Sequence, residues 1–123
     1  MTLNEYQERA METCMETSDN MLYMLFGLCE EVGELHGKIA KALRKGWLEP
    51  MESGNLKPYY AVDQDGLDAL IDGIKKECGD VAWMLAGVCK VMGWKLDDVC
   101  RLNLEKLADR KKRGVIDGKG DER

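Results

Sequence analysis

Proline interrupts helices, and this chain of 123 residues has only two, Pro50 and Pro58, both in one middle segment. Long stretches on either side are free to be helical. Their composition favours that state, with eight methionines in the chain and few β-branched runs. Four helices are expected, over about residues 3–16, 20–45, 67–92 and 96–113. Thr17, Ser18 and Asp19 separate the first two and offer caps. Gly46 follows Arg44 and Lys45, and Gly93 closes the third helix. The fourth carries Asp97 and Asp98 in its first turn and Lys111 to Arg113 in its last, the polarity that a helix dipole favours. Between the second and third helices, residues 46–66 read as a loop, or a loop with a short extended piece. A connection this long is functional or poorly ordered. The tail, 115–123, is glycine-rich and charged and reads as flexible. The expected fold is an all-α, four-helix bundle-type single domain, 1–123.

A hydrophobic share of 45% and a charged share of 33% fit a globular chain. The net charge of -5 argues against a nucleic-acid polymer as partner but leaves room for a single nucleotide. No apolar run reaches the roughly 18 residues of a membrane span, so no membrane partner is expected. The opening "MTLNEYQERAMETC" is acidic and amphipathic rather than signal-like, and a cytoplasmic location is the default expectation. The five cysteines are odd in number and form no CxxC, so they read as small core residues in a reducing compartment. Cys78 and Cys89, three helical turns apart, would share a face.

The stretch "LCEEVGEL" sets Glu30, Glu31 and Glu34 inside an apolar helix. Residues three apart lie on neighbouring turns of one face, which makes Glu31 and Glu34 a pair. Glu77 and Asp80, in "KKECGDVAWML", are a second. If the two helices pack antiparallel, four carboxylates converge. Two such charges 4 Å apart repel by about 1 kcal/mol in water and about 4 kcal/mol at an effective dielectric of 20. A hard cation relieves this, and an all-oxygen donor set suits Mg²⁺, with Mn²⁺ as a substitute. Because Mg²⁺ keeps waters and takes phosphate oxygens, the constellation suits phosphate chemistry. The alternative is a solvated acidic face paired with Lys38 and Lys41. A di-iron bundle would need a histidine three after a glutamate, whereas the lone His36 is two after Glu34.

"EEVGEL", "ECGDVAWML" and "NLEKLADRKKRGVIDGKGDER" together resemble the MazG-like, all-α nucleoside triphosphate pyrophosphohydrolases, whose signature is EExxE followed by ExxD. The resemblance covers about residues 25–41 and 74–123, with a longer proline-containing insert between the motifs than compact members have. It implies hydrolysis of a nucleoside triphosphate substrate between the α and β phosphates. It implies Glu31, Glu34, Glu77 and Asp80 as metal ligands, with Glu30 and Glu31 at the chemical step. It also implies phosphate contacts from Asn103, Lys106 and Arg110, which fall at i, i+3 and i+7 on one helical face. Family members pair their subunits, so a homodimer or dimer of dimers is expected to complete the bundle.

Trp47 and Tyr59 or Tyr60 are candidates to stack on a base, and His36 to touch substrate or to serve packing; Trp83 reads as core. Two further readings stay open. One keeps the site but changes the substrate to a modified nucleotide or an alarmone. The other is a non-catalytic helical oligomerisation module on the same scaffold.

Overall fold

The computed structural model describes residues 1–59, 64–118 and 120. Four α-helices carry the fold: α1 (Leu3–Met11), α2 (Met21–Arg44), α3 (Gln64–Val91) and α4 (Leu96–Arg113). The all-α expectation is met, with one addition. The middle segment contains an antiparallel hairpin of β1 (Leu48–Pro50) and β2 (Leu56–Pro58). The prolines sit at the ends of these two-stranded edges, where a missing N–H costs least. Lys57 and Glu49 face each other across the ladder and pair at 3.0 Å. Tyr60 and the rest of residues 60–63 lie outside the described residues, as do Lys119 and residues 121–123 of the tail.

Helix ends are set by caps, by glycines and by contacts from other helices. Thr2 and Glu5 form a capping box on α1. That helix ends at Met11, earlier than expected, because the Trp83 indole N–H is directed at the Ala10 carbonyl (3.0 Å) and the Thr13 hydroxyl (2.9 Å). A 3₁₀ turn, Glu16–Ser18, follows, and Asn20 caps α2 by accepting from the Tyr23 N–H. Gly46, Gly93 and Gly114 adopt positive φ just beyond α2, α3 and α4. Lys95 offers α4 no side-chain cap, and α1 supplies it instead. Gln7 accepts from the Leu96 N–H at 2.9 Å and donates to the Trp94 carbonyl at 3.0 Å, while Asn4 accepts from the Asp97 N–H at 3.1 Å.

The α2–α3 pair is the spine. Gly27 sits against Met84 and Gly87 against Met24, a reciprocal fit in which each glycine makes room for a buried methionine. A Cβ on Gly27 would lie 2.7 Å from the Met84 sulfur. These contacts run the helices antiparallel, so the expected geometry for the two acidic motifs is present. The end of α3 is also tied to the start of α2 by Lys90 and Asp19 at 2.7 Å. A second core of Met11, Ala86, Cys89 and Leu96 joins α1, α3 and α4, with Trp83, Tyr6, Cys14 and Cys100 around it, as expected for Trp83.

The cysteines correct one expectation. Cys89 is buried and Cys14 and Cys100 are half-buried, but Cys29 and Cys78 are exposed. Cys78 and Cys89 share a helical face by spacing, yet only the Cys89 end of that face is covered by α1 and α4.

Candidate functional site

Glu31 and Glu34 come from the middle of α2 and Glu77 from the middle of α3. One carboxylate oxygen from each lies within 4.8 Å of the others. Glu77 is the buried member, at 6% exposure, which is rare for a carboxylate without a partner. Its partner is Lys38, whose ammonium lies 2.9 Å from a Glu77 oxygen. That hydrogen bond raises the Lys38 pKa above its usual value. Burial pushes the Glu31 carboxyl up, and the charges of Asp80, Glu34, Glu77 and Glu30 push it further.

The structure thus brings three of the four expected ligands into one group. Asp80 stands on the next turn of α3, exposed and outside that trio, but close enough to act on Glu31. It also acts on Tyr6 of α1, whose hydroxyl is raised first by burial and then by the Asp80 charge. Glu30 is exposed beside the group. The donor chemistry fits a hard divalent cation: oxygens only, crowded anions, and one buried oxygen neutralised by a displaceable ammonium.

None of the acidic group lines the groove that holds two of the expected phosphate contacts. Asn103 and Lys106 line a separate groove of about 700 Å³ with Trp94, Val99 and Leu102. Arg110, expected on the same face, is buried at 4% exposure and donates to the Gly120 carbonyl. Of the base candidates, His36 is exposed on α2. Trp47 and Tyr59 are neighbours, joined by the Tyr59 N–H donating to the Trp47 carbonyl at 2.9 Å. The Lys45 ammonium stands 4.4 Å from the centre of the Trp47 ring, so one face of that indole already holds a cation.

One contributor found a different partner from the one expected, and two were not singled out from sequence. Lys38 was expected as a partner for carboxylates of its own helix and instead reaches across to Glu77. Tyr6 and Gln7 carry no motif, and only the docking of α1 on α3 and α4 gives them a place.

A helical domain with paired carboxylates from two antiparallel helices defines the class: an α-helical protein with an oxygen-lined site suited to a divalent cation. The profile of the MazG nucleotide pyrophosphohydrolase domain matches residues 19–115, and the chain belongs to that family. Over 132 aligned positions it is 31% identical to the Gene 37 protein of Mycobacterium phage L5, covering 100% of both chains. No solved structure gives a significant match. No described helix is long and apolar enough to cross a membrane.

Proposed function

We propose that this protein hydrolyses a ribo- or deoxynucleoside triphosphate between its α and β phosphates, releasing the monophosphate and pyrophosphate. The observation that carries this is the convergence of Glu31, Glu34 and Glu77 in a chain of this family. Those three carboxylates, with Asp80 on the adjacent turn, would hold Mg²⁺. A bound Mg²⁺ supplies charge neutralisation on phosphate oxygens and a more acidic water. Glu30, exposed and adjacent to Glu31 in sequence, would take a proton from an attacking water, and Glu31 would share that role. The buried Glu77 gives the group a fixed point, so the chain contributes mainly positioning and electrostatics.

The active form is a homodimer or a dimer of dimers. Leu22 and Phe26 on α2 are 69% and 72% exposed, and Leu102 and Leu104 on α4 are 58% and 68% exposed, which leaves apolar faces for a second copy. Asn103 and Lys106 would then reach phosphate in a neighbouring subunit's site. Arg110 would act from beneath, holding the chain after α4 through Gly120.

Substitution tests the reading. Glu31→Gln and Asp80→Asn should each lower turnover at least a hundredfold and weaken Mg²⁺ binding by calorimetry, with helicity intact. Near wild-type turnover in either variant would remove the carboxylates from the mechanism. Unaltered Mg²⁺ binding without turnover on any nucleotide would favour the non-catalytic module.

A further inference from the structure

A cavity of about 280 Å³ lies between α2 and α3, beginning where the carboxylate group ends. Its α2 wall presents Lys38, Lys41 and Lys45, at i, i+3 and i+7, so three ammonium stems share one helical face. Gly66 and Gly73 on α3 form part of the opposite wall, and Trp47 closes the hairpin end. A Cβ on Gly73 would stand 3.4 Å from the Lys38 side chain, an ordinary contact, so this wall lies directly against that lysine.

We infer that this trough is a polyphosphate subsite, which takes the pyrophosphate end of the nucleotide while the carboxylates hold the metal. The inference rests on the nucleotide reading given above.

Four features support it. Lys38 belongs to both regions, since its ammonium is 2.9 Å from Glu77 and its stem lines the trough. Among the described residues, neither Lys41 nor Lys45 has a carboxylate within ion-pair distance. Two acids of α3 are engaged within their own helix, Asp68 by Gln64 and Asp72 by Lys76. Lys45 is held over Trp47 at 4.4 Å, which aims a cation at the trough without neutralising it. In a chain of net charge -5, three cations gathered in one concavity beside an acidic centre make a local sink for a multiply charged anion.

Helix-dipole stabilisation accounts for cations in the last turn of α2, but Lys38 lies well before that turn. Nor does the dipole select the trough-facing positions, because Arg44 is also in the last turn and does not line the cavity.

The test uses the full-length protein and inorganic pyrophosphate, titrated in chelator so that no divalent metal contributes. Calorimetry gives the affinity, and Trp47 fluorescence reports the trough, with Trp47→Phe as the optical control. The wild type should bind, and Lys41→Gln/Lys45→Gln should bind at least tenfold more weakly. Both side chains are exposed, so the variant should keep its fold and its Mg²⁺ affinity. With Mg²⁺ and a hydrolysed nucleotide, the same variant should raise KM at least fivefold. Equal pyrophosphate affinity in wild type and variant, or no binding by either, overturns the inference. Turnover with equal affinities would sink the trough and leave the hydrolase reading standing. Lysine-dependent pyrophosphate binding without turnover on any nucleotide would do the reverse.

Discussion

Glu31→Gln should make the metal-free protein more stable. Oxygens of Glu31, Glu34 and Glu77 lie within 4.8 Å of one another. At that separation two unit charges repel by about 0.9 kcal/mol in bulk water and about 3.5 kcal/mol at an effective dielectric of 20. Glu77 is offset by Lys38 at 2.9 Å, so the uncompensated repulsion on Glu31 comes mainly from Glu34 and Asp80. Both of those are exposed, which places the gain toward the low end, about 1–2 kcal/mol. For a domain of this size that is a rise of roughly 3–8 °C in Tm. Thermal melts followed by circular dichroism, in chelator and in Mg²⁺, make the assay. The variant should melt above wild type in chelator. Mg²⁺ should then stabilise wild type, by about 2.7 kcal/mol at a hundred times its Kd, and leave the variant nearly unmoved. A variant that melts below wild type in chelator, or gains as much from Mg²⁺, would refute the idea that these carboxylates are held together against their charge.

The remaining expectations concern the scaffold and pH. Met24→Ala should cost about 2–5 kcal/mol by chemical denaturation, since Met24 is fully buried against Gly87; a loss under 1 kcal/mol would mean that this fit is slack. Gln7→Ala should cost about 1 kcal/mol and raise amide exchange at the start of α4, because Leu96 and the Trp94 carbonyl lose their partner; unchanged exchange there would deny the cross-helix cap. The raised Glu31 carboxyl binds its proton more tightly folded than unfolded. Its contribution in chelator is therefore full below the ordinary glutamate value and is lost as pH rises from there through the raised one. Wild type should accordingly lose stability over that window relative to Glu31→Gln, and parallel pH curves would contradict the assignment.

Much of this structure was legible in residue spacing. Long helices interrupted only around Pro50 and Pro58 gave α2 and α3, and glycines after cationic turns marked the ends of α2 and α4. The acidic motifs were readable because an i, i+3 pair needs only its own helix to share a face. Features set by tertiary contact were not. The end of α1 depends on where Trp83 places its indole N–H, and the cap of α4 depends on Gln7, 89 positions away from Leu96 and silent in local sequence. Glu49 and Lys57 specify a hairpin register only once the chain has turned between them. The face shared by Asn103, Lys106 and Arg110 was correct as helical geometry. What covers each position was not visible, and Arg110 is enclosed near the chain that follows α4 while the other two line an open groove.

The central claim is that the glutamates of "LCEEVGEL" hold a metal that serves phosphate chemistry. It is tested most directly by incubating the protein with a panel of ribo- and deoxynucleoside triphosphates and Mg²⁺ and resolving the products by chromatography. The expected result is monophosphate and pyrophosphate from at least one nucleotide, abolished by chelator and by Glu31→Gln. Release of a diphosphate and inorganic phosphate, or turnover that survives both chelator and Glu31→Gln, would contradict it.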